Sequence, residues 1–477
     1  MNYRKPAATI IIFMLFASCA KDYVTGRRTF SLVSESQEIA LGREADPSIV
    51  AEYGAYDDKA LTEFVDGIGQ AIARTSHRPD LKYTFRVVDS PIVNAFALPG
   101  GWVYFTRGIL AHFNSEDELA GVMGHEVGHV VARHGAEQMS KQQLAAIGFG
   151  VGSVVSEKFR EYSQLAQTGL GLMFLSYGRS HESESDRLGV EYSTKLGYDS
   201  HKMAAFFRTI GALSAESGQR LPTFLSTHPD PGGREQNVHK LTDEWRAKID
   251  YKPKSLTRNA YLQRIDGIVY GNDPRQGFVE KNMFYHPGLR FQFPVPEGWL
   301  LQNSPTVVQM IDKDKNAMVQ FQLAKEKTAS AAANAFASTE GLVVQNQNSV
   351  KVHNLPAVVL ESTLTTQQGE LRLLSYFIGM GGNVYVFHGY TASANFSKYR
   401  YTLTSIMSGF DQLRNRAALN KKPDRIRVKP APRNATLSAT FASLRVKKEQ
   451  YDELALLNGM ALTDQVKRGD LIKTIGQ

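Results

Sequence analysis

One helical motif constrains this chain more than any other feature. Residues 118–135 read ELAGVMGHEVGHVVARHG, with His125 and His129 four apart and Glu126 between them. Residues i and i+4 lie on one face of an α-helix, so both imidazoles can reach one metal ion while Glu126 stays beside it. Ser115 and Glu118 match a capping box, which predicts that this helix begins ten residues before His125. An ordinary helix that carries these residues by coincidence remains the alternative until a third ligand is found.

A catalytic zinc site needs a third protein ligand, and the residues just after the motif do not supply it. The metzincin arrangement requires a glycine and then a histidine where this chain has Ala132 and Gly135. His134 is nine residues beyond His125, roughly 180° round a continuous helix. We therefore expect His134 to point away from the metal and to have a structural role.

The downstream segment SYGRSHESESDRLGVEYSTKLGYD offers two carboxylates instead. Glu182 and Asp186 are four apart on a helical pattern and therefore share a face. One of them can bind the metal while the other orients a ligand imidazole. Because Glu182, Glu184 and Asp186 alternate, a solvated acidic face is the competing interpretation. The HExxH motif upstream favours the metal site.

Three motifs together, HEVGH, SYGRSHESESD and STHPDPGGR, resemble zinc metallopeptidases of the HtpX and CAAX-prenyl-protease type, which are gluzincins, and within them the BepA-like periplasmic lipoprotein branch. The resemblance covers about residues 25–245. It implies one Zn²⁺ per chain with Glu182 as third ligand and Asp186 as a supporting acid. It further implies that His228 approaches the metal, either as a fourth ligand that closes the site or as a stabiliser of the tetrahedral intermediate. Arg234 and Arg179 are the further supporting residues that we expect near the ligands.

The segment NAFALPGGWVYF alternates like a strand with a Pro-Gly-Gly turn. The same resemblance implies that Asn94, Ala95 and Phe96 lie on an edge strand that binds substrate beside the cleft. An exposed strand edge can pair with an extended peptide through main-chain hydrogen bonds. A core strand followed by a turn is a compatible alternative.

These residues and the resemblance predict a zinc endopeptidase that degrades unfolded or misassembled proteins of the bacterial cell envelope, with Glu126 as general base. The alternative is a non-enzymatic, chaperone-like assembly factor that binds envelope clients along the strand edge. The catalytic residue types are all present, which favours the enzyme.

The first 19 residues have the pattern of a lipoprotein signal peptide. Arg4 and Lys5 precede the apolar run AATIIIFMLFA, and the run is followed by Cys19, the only cysteine of the chain. Residues LFASC resemble a lipobox, with Phe16 where leucine is usual. We therefore expect lipidation of Cys19, with Ala20 implying anchorage to the outer membrane facing the periplasm. An ordinary cleaved signal peptide with a spare cysteine is the alternative.

The chain is too long for one ordinary core, and its pattern changes along its length. We predict a mainly α zincin-type peptidase domain with a small edge-strand sheet, then a separate α+β domain that weakly resembles PsbP, then a small LysM-like C-terminal module. The predicted boundaries are 1–19 for the signal peptide, 25–245 for the peptidase domain, 246–283 for a linker, 284–412 for the α+β domain, 413–434 for a basic linker and 435–477 for the LysM-like module.

The positive charge is concentrated near the C-terminus. Between Leu413 and Lys448 the chain has eleven Lys or Arg and only Asp424 as an acid, against a net charge of +8 for the whole chain. Anionic lipid headgroups or peptidoglycan are partners that this charge fits, and a merely solvated linker fits it as well. Nucleic acid is not expected in the periplasm.

Overall fold

The computed structural model describes residues 19–26, 28–149, 177–216, 223–229, 233–255, 258–366 and 369–477. The predicted signal-peptide residues before Cys19 lie outside the described residues. The chain forms two compact units: the first runs to Gly271 and also includes Asp424–Gly476, and the second is Asn272–Pro423. None of the helices in the described ranges combines the length and the apolar character that crossing a bilayer requires.

The helices of the described residues, in chain order, are α1 Glu35–Tyr53, α2 Lys59–Thr75, α3 Arg107–His112, α4 Glu116–Val131, α5 His134–Phe149, α6 Arg179–Lys195, α7 His201–Glu216, α8 Thr223–Thr227, α9 Arg234–Lys248, α10 Arg258–Ile265, α11 Ala329–Ala337, α12 Phe396–Ser408, α13 Arg416–Leu419, α14 Leu437–Ser443 and α15 Tyr451–Leu457.

The strands are β1 Cys19–Lys21, β2 Arg28–Phe30, β3 Thr84–Val88, β4 Ala95–Leu98, β5 Trp102–Thr106, β6 Phe278–Glu280, β7 Met283–His286, β8 Phe291–Pro294, β9 Leu300–Asn303, β10 Val307–Ile311, β11 Ala317–Leu323, β12 Leu342–Val352, β13 Leu355–Thr366, β14 Gly369–Met380, β15 Asn383–Ala392, β16 Asp411–Gln412, β17 Arg425–Pro430, β18 Ala435–Thr436, β19 Gln465–Val466 and β20 Leu471–Gly476.

Helix α4 lies at the centre of the first unit. Every residue from Glu118 to Val131 is buried. The predicted start is confirmed, because Ser115 is the N-cap and its side chain accepts a hydrogen bond from the Glu118 amide. Polar side chains of a helix that is buried on every face normally have hydrogen-bond partners or a functional role. The burial of its two histidines and of Glu126 therefore needs an explanation.

A small sheet packs beside α4 in the order β3-β5-β4, with β3 parallel and β4 antiparallel to β5. The turn between β4 and β5 needs glycine, since Gly100 and Gly101 have φ of +80° and +103°. The predicted pair of strands with a Pro-Gly-Gly turn is therefore confirmed. Strand β4 is at the edge of this sheet.

The second unit is rich in sheet. Its seven antiparallel strands have the order β12-β13-β14-β15-β11-β10-β9, and a four-stranded sheet has the order β16-β8-β7-β6. Helices α11 and α12 pack on the larger sheet. Aromatic rings fill the core, among them Phe291, Phe321 and Phe387. A separate α+β region is thus present, and it extends beyond the predicted 284–412 on both sides.

The C-terminal residues belong to the first unit. Strand β17 pairs antiparallel with β20, and α14 and α15 lie between them in the chain. Ile426, Phe441 and Leu454 join the same hydrophobic core as α4. Residues 246–283, which the sequence suggests as a linker, include α10, whose Tyr261 is buried in that core.

A buried lysine of β20 forms hydrogen bonds with the segment that precedes α4. The side chain of Lys473 is 0% exposed, and its Nζ donates to the carbonyls of Ala111 and Phe113 at 2.8 and 3.0 Å. Asn458 accepts from the Lys473 amide and donates to its carbonyl, both at 2.9 Å. The C-terminal strand therefore supports the segment in which α3 ends and α4 begins.

Candidate metal centre

Two helices bring the motif residues together because they cross at glycines. A Cβ on Gly189 of α6 would lie 2.8 Å from the amide nitrogen of His125, and one on Gly124 of α4 would lie 2.9 Å from the Gly189 Cα. No other residue fits such a contact without separating the helices. This approach lets side chains of α4 and α6 point at one place.

Four buried side chains converge there: His125, His129, Glu182 and His228. The two Nε2 atoms of His125 and His129 are 3.0 Å apart, and each lies 3.4 Å from an oxygen of Glu182. The Nδ1 of His228 lies 3.2 Å from the His125 Nε2 and 3.2 Å from the Glu182 Oε1. A zinc ion with bonds of about 2.0–2.1 Å has tetrahedral edges of about 3.3 Å, so these separations fit four ligands of one ion.

The chemistry of the donor atoms also fits a cation. The Nδ1 of His125 faces a carboxylate, so in the neutral, metal-binding ring the proton is on Nδ1 and the Nε2 lone pair is directed at the other three groups. The Oε2 of Glu182 is buried and has no hydrogen-bond partner among the described residues. Burial raises the pKa of Glu182, but the neighbouring His228, His125 and His129 outweigh it and keep the pKa well below its usual range. One ionised carboxylate and three imidazoles are a set that zinc accepts.

Glu126 lies beside this group without being part of it. Both of its carboxylate oxygens are buried and lack a hydrogen-bond partner in the described part of the chain. Its Oε1 is 3.5 Å from the Nε2 of His228. Burial raises the pKa of Glu126, which the nearby imidazoles partly oppose. A carboxylate that has a raised pKa and lies next to candidate metal ligands has the properties of a general base.

Asp186 and Arg234 support His125. The Oδ1 of Asp186 lies 2.9 Å from the His125 Nδ1, and Arg234 donates to both Asp186 oxygens at 2.7 Å. Burial raises the pKa of Asp186, but the charge of Arg234 and the His125 contact outweigh it and lower the pKa. The guanidinium of Arg234 also lies 3.9 Å above the ring of Phe207. The ionised Asp186 thus fixes the tautomer and the orientation of His125.

The expected orientation of His134 is wrong, whereas its exclusion from the ligand groups agrees with the structure. Helix α4 ends at Val131, and Arg133 takes a left-handed φ of +59°, so His134 starts a new helix. Its Nδ1 consequently lies 3.0 Å from the Nδ1 of His129. The 180° phase held only for an uninterrupted helix. His134 is not one of the four converging groups, but it touches one of them directly.

Tyr177 is a second neighbour that sequence reasoning missed. Its ring stacks on the His129 imidazole, with centroids 4.0 Å apart and planes 25° apart. The tyrosine belongs to the motif SYGRSHESESD, five residues before Glu182. Its closeness in sequence to a candidate ligand was a signal that could have predicted its place in the site.

The predicted substrate-binding residues lie at the sheet edge, but this edge is not exposed, since Asn94 and every residue of β4 are buried. Phe96 is buried against Tyr104, with ring centroids 4.9 Å apart. The side-chain oxygen of Asn94 is buried without a hydrogen-bond partner among the residues that the structure describes. The carbonyl of Val93 accepts a hydrogen bond from the amide of Phe224 in α8, the helix directly before His228. The segment that carries His228 therefore contacts the chain just ahead of β4.

Two other predicted residues lie elsewhere. Arg179 is exposed at the first residue of α6 and is not among the side chains that the structure brings to the metal group. Cys19 is the first residue of β1, and its backbone pairs with that of Phe30 in β2.

Comparison with known proteins places the chain in a family. The model of Peptidase family M48 matches residues 60–242. Over 232 residues the chain is 30% identical to the mitochondrial metalloendopeptidase OMA1 of Schizosaccharomyces pombe, covering 47% of this chain and 67% of that protein. It is 35% identical over 173 residues to the OMA1 protein of Arabidopsis thaliana, covering 36% and 34% of the two chains. It is 26% identical over 260 residues to the beta-barrel assembly-enhancing protease of Escherichia coli K12, covering 51% and 53%.

The chain thus spans about a third to a half of two of these relatives. Among solved structures, the cyanobacterial PsbP of Synechocystis sp. PCC 6803 matches 27% of this chain and 91% of its own, at 16% identity and a TM-score of 0.24. A likeness at that score carries no argument about the second unit. The family match, by contrast, covers the residues of the candidate metal centre, and the S. pombe relative is matched over two thirds of its length. The chain belongs to peptidase family M48.

Proposed function

We propose that this chain is a zinc-dependent endopeptidase in which Glu126 is the general base. The observation that carries the proposal is the convergence of His125, His129 and Glu182 with Glu126 beside them in a buried site. Zinc held by those three ligands would polarise the scissile carbonyl and lower the pKa of a water molecule toward about 7.

The residues of the chain perform the remaining steps. Glu126 takes the proton of the attacking water and then gives it to the leaving amine, a transfer that its two unsatisfied oxygens permit. Asp186, held by Arg234, keeps His125 in the tautomer whose Nε2 faces the site. Burial excludes bulk water and strengthens these electrostatic contacts.

The substrate would lie along strand β4. An extended peptide can pair with the main chain of Ala95 and Phe96, while the free side-chain oxygen of Asn94 accepts a hydrogen bond from it. Main-chain pairing makes few demands on sequence, which suits unfolded or misassembled proteins of the cell envelope. The names of the relatives, metalloendopeptidase and beta-barrel assembly-enhancing protease, support this substrate class.

We propose that His228 closes the site as a fourth ligand. Structural zinc sites have four protein ligands, whereas catalytic sites keep one position open. The Nδ1 of His228 lies 3.2 Å from the His125 Nε2 and would fill that position in the presence of zinc, while its Nε2 lies 3.5 Å from the Glu126 Oε1. His228→Ala should then raise the cleavage rate of casein and weaken zinc binding. A lower rate with unchanged zinc binding would instead identify His228 as a stabiliser of the tetrahedral intermediate.

The activity is tested by metal content together with proteolysis. The purified chain should contain one zinc ion and cleave casein, and a chelator should abolish cleavage until zinc is restored. Zinc-free protein that still cleaves would refute the proposal. Binding of unfolded clients without cleavage by either the wild type or His228→Ala would favour the chaperone-like assembly factor.

We also propose that the chain is a periplasmic lipoprotein anchored to the outer membrane through Cys19. Labelled palmitate should be incorporated into the wild type and not into Cys19→Ala. For the LysM-like region we propose peptidoglycan contact through its exposed cations, for example Lys467 and Arg468. Purified sacculi should retain the wild type better than a variant with both residues changed to glutamate, and equal retention would argue against this contact.

A further inference from the structure

The structure points to a positioning role for His134 and Glu184, which together orient the ligand His129. We infer that His129 is held by a relay of two hydrogen bonds, from its own Nδ1 to His134 and from His134 to the Glu184 carboxylate. The inference rests on the proposed metal site, because it requires His129 to face the metal with Nε2.

Tautomers fix the direction of the relay. An imidazole that binds a metal through Nε2 has its proton on Nδ1. The Nδ1 of His129 lies 3.0 Å from the Nδ1 of His134, which must therefore accept. The proton of a neutral His134 is then on Nε2, and this atom lies 3.4 Å from the Oε2 of Glu184.

A further contact agrees with this assignment. The hydroxyl of Ser185 lies 3.3 Å from the same Nδ1 of His134, where it can donate and leave the proton on Nε2.

The two histidine ligands are consequently supported in different ways. His125 donates directly to the ionised Asp186. His129 meets a neutral ring instead, and the carboxylate of Glu184 stands one step further out with 34% of its side chain exposed. Partners that hold the distal nitrogen of a metal-binding histidine commonly change metal affinity about 10- to 100-fold when lost.

Buried contacts hold His134 in place. The left-handed turn at Arg133 is fixed because its Nε donates to Glu38 and its Nη2 donates to the Val33 carbonyl, both at 2.8 Å. On its other side, His134 stacks on His181, with centroids 4.2 Å apart and planes 20° apart.

The test compares zinc affinities of the full-length chain by competition with a fluorescent chelator. His134→Leu removes the acceptor and should bind zinc about 10- to 100-fold more weakly. His134→Asn places an amide oxygen near the position of Nδ1 and should restore affinity to within about threefold of the wild type. His181→Phe keeps the stacked ring without touching a ligand, and should leave zinc affinity unchanged. The thermal midpoint of each metal-free variant separates lost positioning from lost folding.

Wild-type zinc affinity in a folded His134→Leu variant would overturn the inference, as would His134→Asn binding zinc as weakly as His134→Leu. If His134→Leu does not fold, the Glu184 pair decides, since Glu184→Leu should weaken zinc binding more than Glu184→Gln, which still accepts from His134. Equal affinities in that pair would overturn the relay. A wild-type chain that binds no zinc would refute the proposed function instead.

Discussion

Replacing Lys473 by methionine should destabilise the unit that contains the metal centre. Methionine keeps most of the length of the buried stem but cannot donate to the carbonyls of Ala111 and Phe113. Each buried carbonyl left without a partner costs about 1–3 kcal/mol, and part of this is offset because the amino group of Lys473 no longer has to be desolvated. We therefore expect the free energy of unfolding to fall by about 3 kcal/mol.

The assay is urea unfolding followed by tryptophan fluorescence. Of the three tryptophans, Trp102 and Trp245 are in the first unit and Trp299 is in the second. In a Trp299→Phe background the signal therefore reports only the unit of interest. Lys467→Met, at an exposed position, is the matched control and should change the unfolding free energy by less than about 0.5 kcal/mol. A loss below about 1 kcal/mol for Lys473→Met would refute the idea that β20 braces the start of α4.

Three further predictions concern helix contact, ligand support and pH. Gly189→Ala should separate α4 from α6 and weaken zinc binding at least about tenfold in chelator competition. Its control is Gly211→Ala, where an added Cβ meets nothing within 4 Å and should stabilise α7 by about 0.5–1 kcal/mol in thermal unfolding. Equal behaviour of the two variants would contradict the close crossing. Asp186→Asn should weaken zinc binding about 10- to 100-fold, and unchanged binding would show that His125 needs no charged partner. Burial lowers the pKa of His112 to about 4 from an unfolded value of about 6.5. The unfolding free energy of the metal-free chain should therefore be highest above pH 6.5 and fall toward pH 4. His112→Asn should reduce this fall by about 3 kcal/mol, and an unchanged pH profile would argue against a buried neutral imidazole.

Most of the candidate metal ligands were predictable because residues at helical spacing have a fixed relative position. Residues four apart on a helix share a face whatever the rest of the fold does, so His125 with His129 and Glu182 with Asp186 could be paired from the sequence. The capping residue Ser115 and the turn glycines are equally local signals. Family resemblance, not spacing, supplied His228 and the choice of Glu182 over Asp186 as the third ligand.

Long-range contacts were not predictable in the same way. The error at His134 arose because a single left-handed residue, Arg133, ends the helix, and its partners Glu38 and Val33 are about a hundred residues away. Lys473 likewise reads as one more cation of a basic region, and only the fold shows that it is buried against Ala111 and Phe113. At both Arg133 and Lys473, tertiary contacts rather than the local sequence pattern determine the conformation and the burial of the residue.

The most direct test of the account is the Glu126→Gln variant, measured for zinc content and casein cleavage in the same preparation. Glutamine keeps the shape of the side chain but cannot take a proton from water, and Glu126 is not one of the four converging ligand groups. The account predicts one zinc ion per chain, as in the wild type, and loss of chelator-sensitive cleavage. Retained, chelator-sensitive cleavage by zinc-loaded Glu126→Gln would contradict it.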